Sequence, residues 1–236
     1  MVMKWMQVLI LAGVFLLQYL FEHLFPQDRK INNWKNERFN LKIGILNLVL
    51  NFFPASLLVH ILGFIERNKI GLLQQWSLPL WIEIIGTIIV LDLWMYAWHW
   101  MNHSIPILWR FHRFHHKDEM MNSTTAVRFH IAELLFSIPG KAVVYMLFGF
   151  SFLPVIIYEI LFFSSIVIHH SNIYISEKSD AVYRMLLASP RMHRIHHSRR
   201  HNETNSNFGS LFSIWDKLFR SYKSKPQGEI IFGTDD

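Results

Sequence analysis

The sequence predicts an all-α integral membrane protein with about four transmembrane helices and a cytosolic, histidine-rich helical cap. Two observations lead to this prediction. Hydrophobic residues make up 52% of the 236 residues and charged residues only 17%, a balance typical of a surface that faces hydrocarbon as well as water. The chain also contains 14 histidines, and most of them lie just beyond the apolar stretches rather than inside them.

Four or five hydrophobic stretches approach the length that a spanning helix needs, which is about 20 apolar residues. The second stretch is predicted to kink at Pro54, and the third carries Glu83 and Asp92 inside it. The last two are separated by a short region between Gly149 and Pro154, so they form a hairpin that either spans the membrane or is re-entrant. The stretches cover residues 5–25, 41–65, 76–98, 131–150 and 152–170.

The distribution of basic residues predicts which ends of the helices face the cytoplasm. Residues 26–40 contain more Lys and Arg than residues 66–75, so the positive-inside rule places residues 26–40 in the cytoplasm. The N-terminus then lies outside, and residues 101–130 and the segment from Ser171 onward share the cytoplasmic face. The basic residues are Arg29, Lys30, Lys35 and Arg38 in the first segment, and Arg67 and Lys69 in the second.

Composition also excludes several classes of site and partner. The chain has no Cys, which rules out disulfides and thiolate metal ligands. The formal charge of +6 comes mainly from segments between the apolar stretches, where basic side chains meet lipid headgroups. No recognition motif accompanies this charge, so nucleic acid is not an expected partner.

The histidines form three short motifs with metal-ligand spacing. His99 and His103 lie four residues apart, so on a helix both rings share one face. Adjacent histidines on a helix diverge by about 100°, and the second and third motifs each end in such a pair, which suits two metal ions. An all-nitrogen site suits Zn, Fe, Cu or Ni. The other two motifs are His112-x2-His115-His116 and His193-x2-His196-His197, and His170 is a further candidate ligand.

Histidines and acidic residues outside the three motifs give weaker evidence for a role at the metal site. His23 and His60 are expected to be interfacial side chains, whereas His130, His169 and His201 are open as ligands. Carboxylates near the metals would offset their charge, although a simple polar contact fits Asp92 equally well. The acidic candidates are Asp92, Asp118, Glu119, Glu133 and Glu203.

These motifs resemble the fatty acid hydroxylase superfamily, the group of sterol desaturase, fatty acid hydroxylase and alkylglycerol monooxygenase-like enzymes. The resemblance covers roughly residues 80–222 and includes residues 170–172, 190–197, 207–209 and 214–219. It implies a mainly helical membrane enzyme with a cytosolic centre of two Fe ions, with Zn as another occupant. It also implies O2 as co-substrate and electrons from an NAD(P)H-linked carrier of the ferredoxin or cytochrome type. The implied ligands are His99, His103, His112, His115, His116, His170, His193, His196 and His197.

This chain departs from the family pattern at two places. Phe219-Arg220-Ser221 stands where members often have Phe-Gly-Thr, and Ile166 stands where some hydroxylases have another histidine. The second departure leaves one metal with one ligand fewer.

The resemblance favours an oxidoreductase that hydroxylates or desaturates a lipid, with sterol, fatty acyl, ether lipid and carotenoid-type substrates all open. The alternative is a histidine-rich membrane protein that binds or transports zinc without redox activity. Four aromatic residues are candidates to line an apolar slot for the substrate. Ordinary helix packing or contact with lipid is the alternative role for them. The slot candidates are Trp94, Tyr96, Phe129 and Phe136.

The chain is expected to divide into three regions. These are an N-terminal transmembrane anchor region at 1–75, a catalytic region at 76–222 and a flexible tail at 223–236.

Overall fold

The structure is a computed structural model that describes residues 2–235, and the side chains of residues 6–235. Within this range the regular secondary structure is helical, as the sequence predicts, and extended pairing is limited to isolated bridges. The α-helices are α1 (Val2–Leu24), α2 (Trp34–Leu50), α3 (Phe52–Asn68), α4 (Leu80–Ser104), α5 (Pro106–His116), α6 (Ile131–Phe148), α7 (Phe152–His170), α8 (Glu177–Tyr183), α9 (Pro190–His196), α10 (His201–Thr204) and α11 (Ile214–Leu218).

Four helices, α1, α4, α6 and α7, are long and apolar enough to cross a membrane, and α2 with α3 makes a fifth candidate that is bent by 48°. The α2–α3 pair is therefore a broken span or a re-entrant element, whereas α6 and α7, the two helices of the predicted hairpin, are each long enough to span, one of the two alternatives that the sequence leaves open. The break falls at Asn51, and Pro54 lies in the first turn of α3. A proline fits there because the first-turn N–H groups have no partner within the helix.

The bundle has two distinct ends. At one end, which we call the histidine end, the chain after α1 pairs with the chain after α7: the Gln27 amide donates to the Asn172 carbonyl at 2.7 Å. The Asn40 side chain on α2 donates to Asp118 at 2.7 Å. The basic segment 26–40 and the histidine motifs thus share one end, as the topology argument requires. At the opposite end, Gly71 and Gly149 approach so closely that a side-chain carbon at either would overlap the other's backbone.

An apolar core fills the space between α3, α4, α6 and α7. Leu62, Ile65, Leu91 and Tyr158 are almost fully buried there. Large apolar residues such as Leu48 and Phe53 are 75% and 78% exposed, which is the expected state of a surface that contacts lipid tails. The core therefore fixes α4 and α7 rigidly, and these helices extend to the histidine end.

The C-terminal region lies partly beside α4 and not only beyond its end. The Asp92 carboxylate accepts hydrogen bonds from the amides of Leu211 and Phe212 at 3.1 and 3.0 Å and from the Trp215 indole at 2.8 Å. Asp92 precedes the end of α4 at Ser104 by about 18 Å of helix. The Asp92 side chain thus makes a structural polar contact, one of the two interpretations that its position allowed.

The predicted tail packs onto the histidine end. The Lys223 amide donates to Asn207 at 2.8 Å, the Gln227 amide to Glu203 at 2.6 Å, and the Arg199 amide to the Ile231 carbonyl at 2.8 Å. The division into regions at 75 and 222 stays a prediction.

Asp92→Ala is expected to lower the free energy of unfolding by several kcal/mol, because it leaves one buried and two partly buried donors without their partner, and each buried donor so left costs about 1–3 kcal/mol. Thermal unfolding in detergent micelles measures the change. Glu83→Ala, on the same helix and at a carboxylate with one buried oxygen lacking a partner, is the control and should cost much less. Equal unfolding temperatures for the two variants would contradict this explanation.

Candidate metal centre

All nine histidines that the sequence analysis predicts as ligands come together at the histidine end. They form two groups, and within each group the candidate ligand nitrogens lie within 4.8 Å of one another. Their metal binding stays a prediction, but their assembly from four separate helices and adjoining residues is a finding. The five-histidine group is His99, His103, His112, His116 and His196, and the four-histidine group is His115, His170, His193 and His197.

Helical geometry divides the neighbouring histidines between the groups. His115 and His116 at the end of α5 have ring planes 89° apart, and one ring belongs to each group. His196 and His197 at the end of α9 are related in the same way, with ring planes 83° apart. Each histidine doublet therefore links the two groups, and Ile166 lies one helical turn before His170 of the smaller group, whose Nδ1 contacts the Ile166 carbonyl.

Five of these rings form a hydrogen bond through Nδ1, four of them to a backbone carbonyl and one to a carboxylate. Because a carbonyl oxygen only accepts hydrogen bonds, Nδ1 must carry the proton, which leaves a lone pair on Nε2 for a metal. The contacts are His99 to Phe208 O at 2.9 Å, His196 to Ser206 O at 2.7 Å, His115 to Arg128 O at 3.2 Å, His170 to Ile166 O at 2.7 Å, and His112 to the Glu133 carboxylate at 2.9 Å.

The distances between Nε2 atoms fit a shared metal ion. The Nε2 atoms of His115 and His170 lie 3.0 Å apart, and those of His170 and His193 lie 3.1 Å apart. For His115 and His170 both atoms present lone pairs, which repel unless a cation lies between them. Metal–nitrogen bonds of about 2.0–2.1 Å separate adjacent ligand nitrogens by about 3.0–3.4 Å.

The five-histidine group also contains buried ring nitrogens that a cation would satisfy. The Nε2 atoms of His112, His116 and His196 are buried without a hydrogen-bond partner among the described residues, as are both ring nitrogens of His103. Buried nitrogens without a partner are costly. The residues present therefore fit a pair of metal ions.

Burial lowers the pKa of five of the candidate ligands outside the membrane spans well below its usual value near 6.5, and neighbouring imidazoles lower it further. These rings are consequently neutral at neutral pH. Neutral imidazole is the form that binds a metal, so little proton competition is expected at these ligands. The residues concerned are His115, His116, His193, His196 and His197.

Among the five acidic candidates, Glu133 is the one that hydrogen-bonds a histidine of either group within the described chain. Asp118 instead receives the side-chain amides of Asn36 and Asn40, and Glu203 receives the Gln227 amide. Glu119 lies in an exposed ion pair with Arg199 at 3.4 Å.

The three open histidines fall outside both groups. His130 caps α6 by accepting the Ala132 amide at 3.1 Å, and His201 is exposed. His169 is buried, with its ring centroid 3.9 Å from that of His193. It supports a candidate ligand by packing.

A cavity of about 150 Å³ lies between α4, α6 and α7 and reaches both histidine groups. Of the four predicted slot residues, Phe129 lines it; Trp94, Tyr96 and Phe136 do not. Sequence reasoning missed a charged residue in its wall, Lys141, whose ammonium lies 3.0 Å from the Glu159 carboxylate. The apolar part of the wall consists of Met95, Trp98, Phe129, Leu134, Phe162 and Ile166.

Several known proteins are similar to this chain. OlsE, an ornithine lipid hydroxylase of Rhizobium tropici, is 26% identical over 233 residues, which cover 94% of this chain and 68% of that protein. Human alkylglycerol monooxygenase is 22% identical over 205 residues, or 82% of this chain and 42% of that protein. Cholesterol 25-hydroxylase of Rattus norvegicus is 25% identical over 155 residues, or 62% of this chain and 49% of that protein.

These relatives are all named as lipid hydroxylases or monooxygenases, and the chain spans less than half the length of the latter two. No solved structure shows significant similarity to the chain. Residues 84–221, more than half of the sequence, match the family model for fatty acid hydroxylase. Together with the apolar helices and the two histidine groups, this match shows that the chain is an integral membrane protein that belongs to the fatty acid hydroxylase family.

Proposed function

We propose that this protein is a membrane-bound non-haem di-iron oxidoreductase that uses O2 to hydroxylate a lipid. The observation that carries the proposal is the convergence of imidazole lone pairs, with the Nε2 atoms of His115 and His170 3.0 Å apart, beside an apolar cavity. The relatives favour hydroxylation over desaturation, since the ones compared above are named as hydroxylases or monooxygenases.

Each part of the site has a task in this proposal. Two iron ions bound by the nine histidines would carry out the chemistry with O2. An NAD(P)H-linked ferredoxin or cytochrome would deliver the electrons. Glu133 orients His112 and contributes the negative charge closest to the ligands. The cavity excludes water and brings a carbon atom of the substrate next to His99, His112, His115, His170 and His193.

The size of the cavity limits what it holds. About 150 Å³ accommodates a short part of a lipid, so the rest of the substrate must extend into the bilayer. The substrate class is therefore a lipid such as an ornithine lipid, an ether lipid, a sterol or a fatty acyl chain. The excess of basic residues in segment 26–40 supports a metal site on the cytoplasmic face.

Oxygen labelling tests the proposed reaction. Lipid profiles of cells with and without the gene would first identify the altered lipid. Iron-loaded protein, a reducing system and that lipid are then supplied with ¹⁸O2, and mass spectrometry should find one labelled oxygen atom in the lipid. Tightly bound zinc with no iron-dependent labelling of any lipid would instead support the zinc-binding alternative.

Alanine substitutions test the two histidine groups separately. His115→Ala in the four-histidine group and His196→Ala in the five-histidine group should each remove one of the two metal ions and abolish turnover. His201→Ala, at an exposed histidine outside both groups, is the control and should keep both ions. Metal analysis of the purified proteins measures this. A His115 or His196 variant with full metal content and full turnover would refute the shared site.

Glu133→Gln tests the carboxylate behind His112. The substitution keeps the acceptor oxygen that lies 2.9 Å from His112 Nδ1 but removes its charge, and losing such a partner typically weakens metal affinity or activity about 10–100-fold. Competition with a chelator measures the affinity. Glu119→Gln, in an exposed ion pair, is the matched control. If both variants bound iron equally tightly, Glu133 would have no part in holding the metal.

A further inference from the structure

A second, strongly basic cavity lies on the side of α9 opposite the metal centre. Its volume is about 380 Å³, and we call it the arginine cavity after its four cationic lining residues. α9 supplies Arg191 and Arg194 to this cavity, while His193 and His196 on the same helix belong to the two histidine groups. The cationic lining residues are Arg184, Arg191, Arg194 and Lys225.

The carboxylates around this cavity do not balance its positive charge. Glu177 accepts from Arg184 at 2.6 Å and from Arg191 at 2.8 Å, and Asp180 accepts from Arg184 at 2.9 Å. Arg194 donates to neutral oxygens of Ser171 and Asn172. These two carboxylates thus pair with Arg184 and Arg191 but not with the other two cations.

Two of these cations lack a direct ionic partner. Neither Arg194 nor Lys225 has a carboxylate within 4 Å among the described residues. Glu22 and Asp28 act on Arg194 from farther away and do not line the cavity. Glu22 is also occupied by hydrogen bonds from Ser123 and from the Asn172 amide. A partly buried guanidinium without a counter-charge is unfavourable, so the cavity suits an anion.

The position of Gln27 along the chain predicts that the cavity lies at the level of phospholipid headgroups. Gln27, in its wall, follows the candidate span that ends at Leu24 by three residues. Phosphate groups of a bilayer lie just outside its hydrocarbon core, and basic residues at this depth attract anionic lipids.

An exposed apolar surface adjoins the cavity. Met185 and Leu186 follow Arg184, and they are 71% and 55% exposed, while Leu218 on α11 is 64% exposed. The backbone hydrogen bond from Ser213 to the Leu186 carbonyl joins the two parts of this surface. Because the chain just before α11 is bound to Asp92 on the candidate span α4, this surface extends from the cavity toward the membrane-spanning part of the bundle.

We infer that the arginine cavity binds the phosphate group of an anionic phospholipid whose acyl chains lie along this apolar surface. Arginine matches phosphate because its planar guanidinium donates two parallel hydrogen bonds to two oxygens. The inference does not depend on the proposed catalytic function, because it rests on the cavity's charge and on its depth in the membrane.

Native mass spectrometry of the full-length protein tests the inference. Protein extracted into detergent is mixed with equal amounts of phosphatidylglycerol and phosphatidylcholine, and the wild type should retain phosphatidylglycerol preferentially. Arg191→Gln and Lys225→Gln should each reduce this preference about fivefold, the expected effect of one basic residue near a membrane surface. Arg199→Gln and Arg200→Gln, at the same end but outside the arginine cavity, are the controls and should keep it.

Further arms separate the other outcomes. Unfolding temperatures in phosphatidylcholine should be the same for all variants, which would show that the substitutions leave the fold intact. If Arg191→Gln lowers the unfolding temperature, the conclusion rests on Lys225→Gln, because Lys225 is exposed. Inorganic phosphate is added alone in another arm. If inorganic phosphate stabilised the protein but phosphatidylglycerol was not retained, the proposal of a bound phospholipid would be wrong and the cavity would instead bind a free anion. Equal retention of the two lipids by the wild type would also overturn the proposal.

Discussion

The close approach of neutral imidazoles is the constraint on which the histidine end depends. Nε2 lone pairs 3.0 Å apart are stable only if each ring is held in one orientation and a cation neutralises the repulsion. Carbonyl oxygens of Phe208 and Ser206 hold two of the rings. The loop that carries them is itself held by carboxylates, because Asp216 accepts the Phe208 amide at 2.7 Å and Asp92 accepts the Leu211 amide. The candidate metal centre therefore depends on a surrounding shell of hydrogen bonds that orients its histidine rings.

This arrangement explains why so many polar residues are buried in a protein that is otherwise apolar. Glu22, Asn40, Asp118 and Asn172 are each 1% exposed or less, and their hydrogen bonds tie α1 and α2 to the segments around the histidine motifs. Such a polar network is costly within hydrocarbon unless it is satisfied internally. Its position at one end of the bundle brings both histidine groups against the apolar cavity, where the proposed reaction would meet its lipid substrate.

Short-range rules, namely apolar length and helical spacing, predict the helices and eight of the clustered histidines, whereas the ninth, His170, completes the set through the family resemblance. The sequence could not select Glu133 from five acidic candidates, since that choice depends on how α6 packs against α5. The carbonyls that fix His99 and His196 have no sequence signal at all, because any residue supplies a carbonyl. The sequence predicts the break at Pro54 instead of at Asn51, because proline breaks a helix in its interior but not in its first turn. Lys141 has no sequence signal as a cavity residue, because its contact with Glu159 depends on how α6 lies beside α7.

The short helix α9 connects the two inferences electrostatically. Its histidines face the proposed pair of iron ions, and its arginines face the arginine cavity, so both sides of a seven-residue helix carry positive charge once the metals are bound. Like charges separated by about the width of a helix repel in a medium from which water is partly excluded. An anion in the arginine cavity would reduce that repulsion without touching a metal ligand. The membrane would then contribute to the stability of the metal centre through the charge of its headgroups as well as through the hydrophobic effect.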